Sequence, residues 1–177
     1  AVTYAGATYP LERPFFILAT QNPIEQAGTF PLPEAQLDRF LLYIKINYPS
    51  AEEERSVLEN TTSSKNVSIN KILDGNKILE AQNLVREVHI NADLIELVNR
   101  LVRATRPGEN GDNYVNEWVR WGAGPRAGQA MILTAKARAL LHGRFAVTQE
   151  DIRHMAFPVL RHRILMNFKA EAEGVSP

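Results

Sequence analysis

Residues 15–40 read FFILATQNPIEQAGTFPLPEAQLDRF, opening on apolar residues and closing on a charged pair just before a second apolar run. Phe15, Phe16, Ile17, Leu18 and Ala19 lie between Pro14 and Pro23. A short apolar run fenced by proline, without polar alternation, has the pattern of a strand buried on both faces in a parallel sheet. Residues 40–46, FLLYIKI, read as a second such strand. The stretch between them is long enough for a crossover, with a short helix expected over 34–39. Upstream, Val2-Thr3-Tyr4 and Ala7-Thr8-Tyr9 flank Ala5-Gly6, the pattern of a hairpin whose glycine takes a positive φ.

Working outward in the other direction, the hydrophobic period changes after Pro49 from two to about 3.6. Ser50 and Glu53 form a capping box for a helix through about residue 60, and residues 61–66 make a polar linker. A second helix is expected over 76–88. Asn91 caps another, whose Leu94, Leu97, Val98, Leu101 and Val102 form one apolar stripe. Residues 107–113 are a turn-rich loop of Gly, Asn and Asp, which Trp118 and Trp121 are expected to anchor to the bundle in preference to gripping a partner. Pro125 suits the first position of a helix reaching about residue 142, with Gly143 as its C-cap. Thr148 and Asp151 start the last long helix, which Pro158 is expected to interrupt. The fold class is therefore mainly α with a small α/β portion, divided into residues 1–48 and a helical domain over 49–177.

Composition narrows the function. Of 177 residues, 45% are hydrophobic and 23% charged, which excludes disorder. Twenty basic and twenty acidic side chains cancel, which argues against a generic polyanion binder. The charge is not spread evenly, however: residues 1–119 hold 11 basic and 16 acidic side chains, residues 120–177 hold 9 and 4. Arg153, His154, Arg161, His162, Arg163 and Lys169 form a basic C-terminal stretch, read as a solvated helix face. The absence of cysteine removes disulfides, thiolate zinc sites and cysteine nucleophiles. His89, His142, His154 and His162 lack the spacing and acidic company of a metal-binding helix, so no metal ligand is assigned. No apolar run nears the roughly 20 residues that span a bilayer, and without a charged n-region followed by an apolar h-region no signal peptide is expected. A cytoplasmic protein is expected, and the abrupt start at Ala1 fits a fragment at least as well as a natural start.

Three positions are candidates for chemistry. Asn22 stands just beyond the C-terminal end of the first apolar run, where open parallel sheets bind ligands, and its neutral amide can orient a water. An Asn-Pro turn ending a strand is the competing explanation. Arg39 carries a planar fork of donors suited to phosphate oxygens, or it pairs with Asp38 or Glu34 at a surface. Arg126 lies in the first turn of the helix that Pro125 opens, where free N–H groups already attract anions.

Together these positions carry a resemblance. The run over 15–40, the YPSAEEE stretch over 48–54 and GAGPRA over 122–127 make nearly the whole chain similar to the MoxR family of AAA+ ATPases. The resemblance implies the C-terminal part of an AAA+ α/β core over 1–48, followed by a helical lid bundle over 49–177. It implies that Asn22 is sensor 1, placing the attacking water, and that Arg39 is an arginine finger reaching a neighbouring subunit's nucleotide. Arg126 becomes sensor 2 on the lid, and the hairpin over 2–9 a pre-sensor-1 insertion. ATP with Mg²⁺ in the complete protein, a ring of copies expected to be a hexamer, and remodelling or maturation of client proteins follow from the same resemblance.

The departures set limits. A P-loop needs G-x-x-x-x-G-K-[ST], and no Gly-Lys pair occurs in the sequence; no apolar strand ends in Asp-Glu. The chain alone is not expected to bind nucleotide tightly or hydrolyse it. In the family's sheet a missing strand lies between the two kept here, so they are expected to be displaced, disordered, paired with another copy or completed by a separate fragment. Two other classes compete: a helical protein-interaction module with a vestigial ATPase segment, and a nucleic-acid-binding helical domain, which the zero net charge disfavours.

Overall fold

The computed structural model describes residues 2–20, 32–63, 69–109 and 111–177. The chain opens with β1 (Val2–Tyr4) and β2 (Ala7–Tyr9), an antiparallel hairpin that pairs Val2 with Tyr9 and Tyr4 with Ala7. Its turn puts both Ala5 (φ 48°) and Gly6 (φ 80°) at positive φ, the backbone twist that a tight hairpin requires.

Neither apolar run over 15–19 or 40–46 forms a strand, which corrects the reading of two buried parallel strands. Phe16 is 81% exposed, and Leu18 and Ile44 are exposed as well. A strand gains its stability from a neighbour's ladder, and the described residues provide none beside either run. The Tyr43 amide donates instead to the Pro158 carbonyl at 2.8 Å. Among the described residues between the runs lies α1 (Glu34–Leu37), a single helical turn.

The Ser50–Glu53 capping box forms as its sequence predicts and starts α2 (Ala51–Thr61), a helix that buries none of its residues. Next come α3 (Gly75–Glu87), capped by Asp74, and α4 (Ala92–Ala104), capped by Asn91. The predicted stripe of α4 faces inward, with Val98 and Val102 buried. The 107–113 loop leads into an unanticipated short helix, α5 (Asn113–Trp118), and then into β3 (Val119–Trp121). Asn116 ties this loop down: its Oδ1 accepts from the Gly108 amide at 2.8 Å, and its Nδ2 donates to the carbonyls of Gly108 and Gly111. Trp121 is 62% exposed and does not anchor the loop. Trp118 lies against Tyr114 and beneath the Lys169 ammonium instead.

The centre of the helical part is α6 (Pro125–Leu141), with Pro125 at its first position and Gly143 just past its end at φ 70°. Ala127, Ala130, Met131, Thr134, Ala135 and Ala139 are all buried. Small side chains on so many faces let α3, α4 and the next helix pack closely around it. That helix is α7 (Gln149–Leu160), capped by Thr148 with Asp151 closing the box. Pro158 does not interrupt it, because a proline in the last turn deprives only one upstream carbonyl of its donor. A two-residue strand, β4 (Leu165–Met166), pairs with β3, and α8 (Phe168–Glu173) ends the fold at Gly174 in the left-handed region. No helix among the described residues is long and apolar enough to cross a membrane.

Candidate functional site

The site forms where the N-terminal segment meets the start of α6 and the end of α7. Gly122 makes the approach to α6 possible. A Cβ at Gly122 would stand 2.4 Å from the Thr105 carbonyl oxygen, so only glycine lets this backbone cross the end of α4. The crossing is pinned by the Ala123 amide donating to Thr105 Oγ1 at 2.9 Å, and by Arg106 Nε donating to the Ala123 carbonyl at 2.9 Å. Gly124 then serves as N-cap without any side-chain partner for the first-turn amides. Arg126 rises from that first turn with its side chain 56% exposed, a guanidinium at the electropositive end of a 17-residue helix.

Arg126 Nη1 lies 3.5 Å from Asp38 Oδ2, a long contact that holds the exposed guanidinium weakly. The other oxygen of Asp38 accepts from Arg163 Nε at 3.0 Å. Arg163 is a different kind of residue, with its side chain only 3% exposed. Its Nη2 donates to the carbonyls of Asp38 at 3.1 Å and Phe40 at 2.6 Å, and its Nη1 to those of Val159 at 2.5 Å and Leu41 at 3.4 Å. Burial lowers the Arg163 pKa from its ordinary value, opposed by the bond and charge of Asp38, while Arg126 adds repulsion. A buried guanidinium stays ionised when each donor meets an acceptor, and this one does.

Beside it, His162 Nε2 faces the Phe40 carbonyl at 3.1 Å, and the ring stacks on Tyr43 with centroids 6.1 Å apart. A carbonyl accepts, so Nε2 carries the hydrogen; Nδ1 is buried without a partner. Burial, with the Arg163 charge nearby, lowers the His162 pKa below its ordinary value and keeps the ring neutral.

Of the three sequence candidates, Arg126 and the turn bearing Arg39 come together through Asp38, while Asn22 lies outside the described residues. Arg39 is exposed and enters no ion pair among the described residues; Asp38, its expected surface partner, is taken by Arg163 and Arg126. Sequence reasoning missed Arg163 and His162 by grouping them into one solvated basic face. The six residues of that stretch in fact differ: Arg163 is buried, His162 is half-buried, and Lys169 pairs with Glu117. One signal was available, since Arg163 lies four residues after Val159 and so continues the apolar face of α7.

The residues present fit only the periphery of a nucleotide. Arg39 and Arg126 can meet phosphate oxygens, but the sequence has no Gly-Lys pair to cradle them. No cluster of three or more His, Cys, Asp or Glu among the described residues could hold a metal ion.

Comparison with known proteins identifies the family. Residues 1–42 match the model of the ATPase family associated with various cellular activities (AAA), and residues 112–177 match the AAA lid domain. The chain is 40% identical to Chaperone MoxR1 of Mycobacterium tuberculosis, covering 99% of this chain and 47% of that protein. It is 31% identical to Protein MoxR of Paracoccus denitrificans, covering 91% of this chain and 52% of that protein. This chain belongs to the MoxR family of AAA+ ATPases. A crystal structure of a candidate ATPase from Cytophaga hutchinsonii superposes with a TM-score of 0.90 at 42% identity, covering 99% of this chain and 54% of that one. The fold is thus AAA+-like, mostly helical with a small sheet portion. The chain spans about half the length of the curated relatives it matches.

Proposed function

We propose that this chain is the C-terminal half of a MoxR-type ATPase, carrying the groups that sense and stabilise a nucleotide bound mainly by other residues. Residues 1–48 belong to the α/β core and residues 49–177 form the lid. Asn22 is sensor 1, Arg39 is the arginine finger acting on a neighbouring copy, and Arg126 is sensor 2. The complete protein binds ATP with Mg²⁺, assembles as a ring and couples hydrolysis to remodelling of client proteins.

The observation that carries this reading is a pair of exposed guanidinium groups: Arg39, the chain neighbour of Asp38, and Arg126, which contacts Asp38. An exposed arginine with no ion-pair partner among the described residues suits a finger that reaches another subunit. Arg126, at a helix N-terminus and held by a single 3.5 Å contact, is free to exchange a carboxylate for a phosphate. Full-length protein with Arg39→Ala is expected to bind ATP normally and to lose most turnover, on the order of 10³-fold as for other arginine fingers. Unchanged turnover removes Arg39 from the mechanism. Nucleotide-independent capture of a client by residues 49–177 alone would instead favour an interaction module.

A further inference from the structure

Every N–H of Arg163 is committed, and four of its five acceptors belong to residues 38, 40 and 41, which flank Arg39 on both sides. The fifth is the Val159 carbonyl in the last turn of α7. Among the described residues, only the local backbone bonds of α1 and its last turn hold this segment from its own side. Helix α1 is four residues long, and residues 40–46 have no strand partner among the described residues. We propose that Arg163 is the positioning residue for Arg39, fastening the finger's turn to the end of α7 so that the finger and the helical part move as one body. The catalytic meaning of this attachment rests on the reading of Arg39 as a finger.

The chemistry of the attachment explains why an arginine is needed. Three backbone carbonyls, one carboxylate and the helix end surround one point, and only a planar group with five fixed donors meets all of them. A lysine offers three donors on a compact head and leaves buried carbonyls unpaired. His162 adds a bond to the Phe40 carbonyl, and the Tyr43 amide reaches the Pro158 carbonyl, so the contact runs on along α7. Asp38 also touches Arg126, which links the finger's turn to the start of α6 by a second, weaker path. In the complete ATPase, displacement of the lid would therefore reorient the finger offered to the neighbouring copy.

Hydrogen exchange at the Tyr43 amide tests the attachment on this chain without any nucleotide. In the unaltered protein this amide is expected to exchange within about tenfold of the amides in the last turn of α7, because both open together. Exchange at the rate of an unprotected exposed segment would overturn the proposal, and this measurement needs no variant to fold. Arg163→Met and Arg163→Lys are each expected to speed Tyr43 exchange at least about tenfold, the effect of losing charge-assisted bonds, while Met131 in α6 stays protected. Unchanged Tyr43 protection in either variant would overturn it. In full-length ATPase, Arg163→Met should lower kcat toward the Arg39→Ala value with little change in KM, and the double variant should match Arg39→Ala alone. Full kcat in Arg163→Met would refute the positioning role. Full turnover in Arg39→Ala would instead sink the finger reading, leaving the exchange result to stand by itself.

Discussion

Replacing Asp151 by asparagine tests whether the helical part is held by charge as well as by its apolar core. Asp151 is fully buried at the start of α7. Its carboxylate accepts from Arg138 Nη1 at 2.5 Å, from Arg144 Nη1 and Nη2 at 2.7 Å each, and from the Thr148 amide and hydroxyl at 2.9 and 2.8 Å. These contacts lock the end of α6, the loop after it and the first turn of α7 onto one point. An asparagine has nearly the same shape, but whichever way its amide turns, the NH₂ meets at least two of those donors. Removing one partner of a buried ion pair costs about 3–5 kcal/mol. The Arg138 and Arg144 side chains keep 20% and 35% of their surface exposed and can turn toward water, which places the expectation at the lower end, about 3 kcal/mol. Urea unfolding followed by circular dichroism at pH 7 should show the midpoint falling by about 1.5 M for a slope near 2 kcal/mol/M, with the slope unchanged. A loss below about 1 kcal/mol would refute the argument, because it would mean that the charge is not needed. Acid gives a second check. The bidentate Arg144 contact, helped by Thr148 and Arg138 and opposed by burial, holds the Asp151 carboxyl well below the usual carboxylate range. Its stabilisation is complete above the unfolded value near 3.9 and is lost as pH falls from there toward the lower folded value. The gap between the unaltered protein and Asp151→Asn should therefore narrow below about pH 4.

Other expectations follow from the same contacts. Because the His162 pKa is lowered in the fold, the unfolded chain takes up a proton first as pH falls through about 6.5, and stability should drop below that point. Unfolding midpoints at pH 7.5 and 5.5 should show a smaller drop for His162→Gln than for the unaltered protein; equal drops would exclude His162 as a source. Gly128→Ala should stabilise the protein by about 0.5–1 kcal/mol, since glycine lies inside α6 and the added Cβ meets Val98 and Val102 at 3.8–3.9 Å. Gly122→Ala should destabilise by about 1–3 kcal/mol or more, because the Cβ would press on the backbone of Thr105 and Arg106. Thermal melts of the two variants should move in opposite directions.

Legibility in the sequence tracked the range of the interaction. The caps at Ser50, Asn91 and Thr148 and the start of α6 at Pro125 were readable because each is decided by residues within one turn. The apolar stripe of α4 was readable because helical period and burial agree. The two apolar runs misled as strands because a strand's stability resides in its neighbour, which no local pattern reports. Helix α5 and the ladder of β3 with β4 were missed for related reasons: one is very short, and the other joins segments more than 40 residues apart.

The sequence by itself determined where α2, α4, α6 and α7 begin and which face of α4 turns inward. Those are properties of neighbours along the chain. Only the tertiary structure decided that Asp38 stands between Arg126 and Arg163, that Arg163 is buried while Arg161 beside it is not, and that Asp151 anchors two helices as well as capping one. A charged side chain is tolerated in the interior only where acceptors from distant segments converge on it, and that convergence is set by how the helices pack, not by the residues on either side.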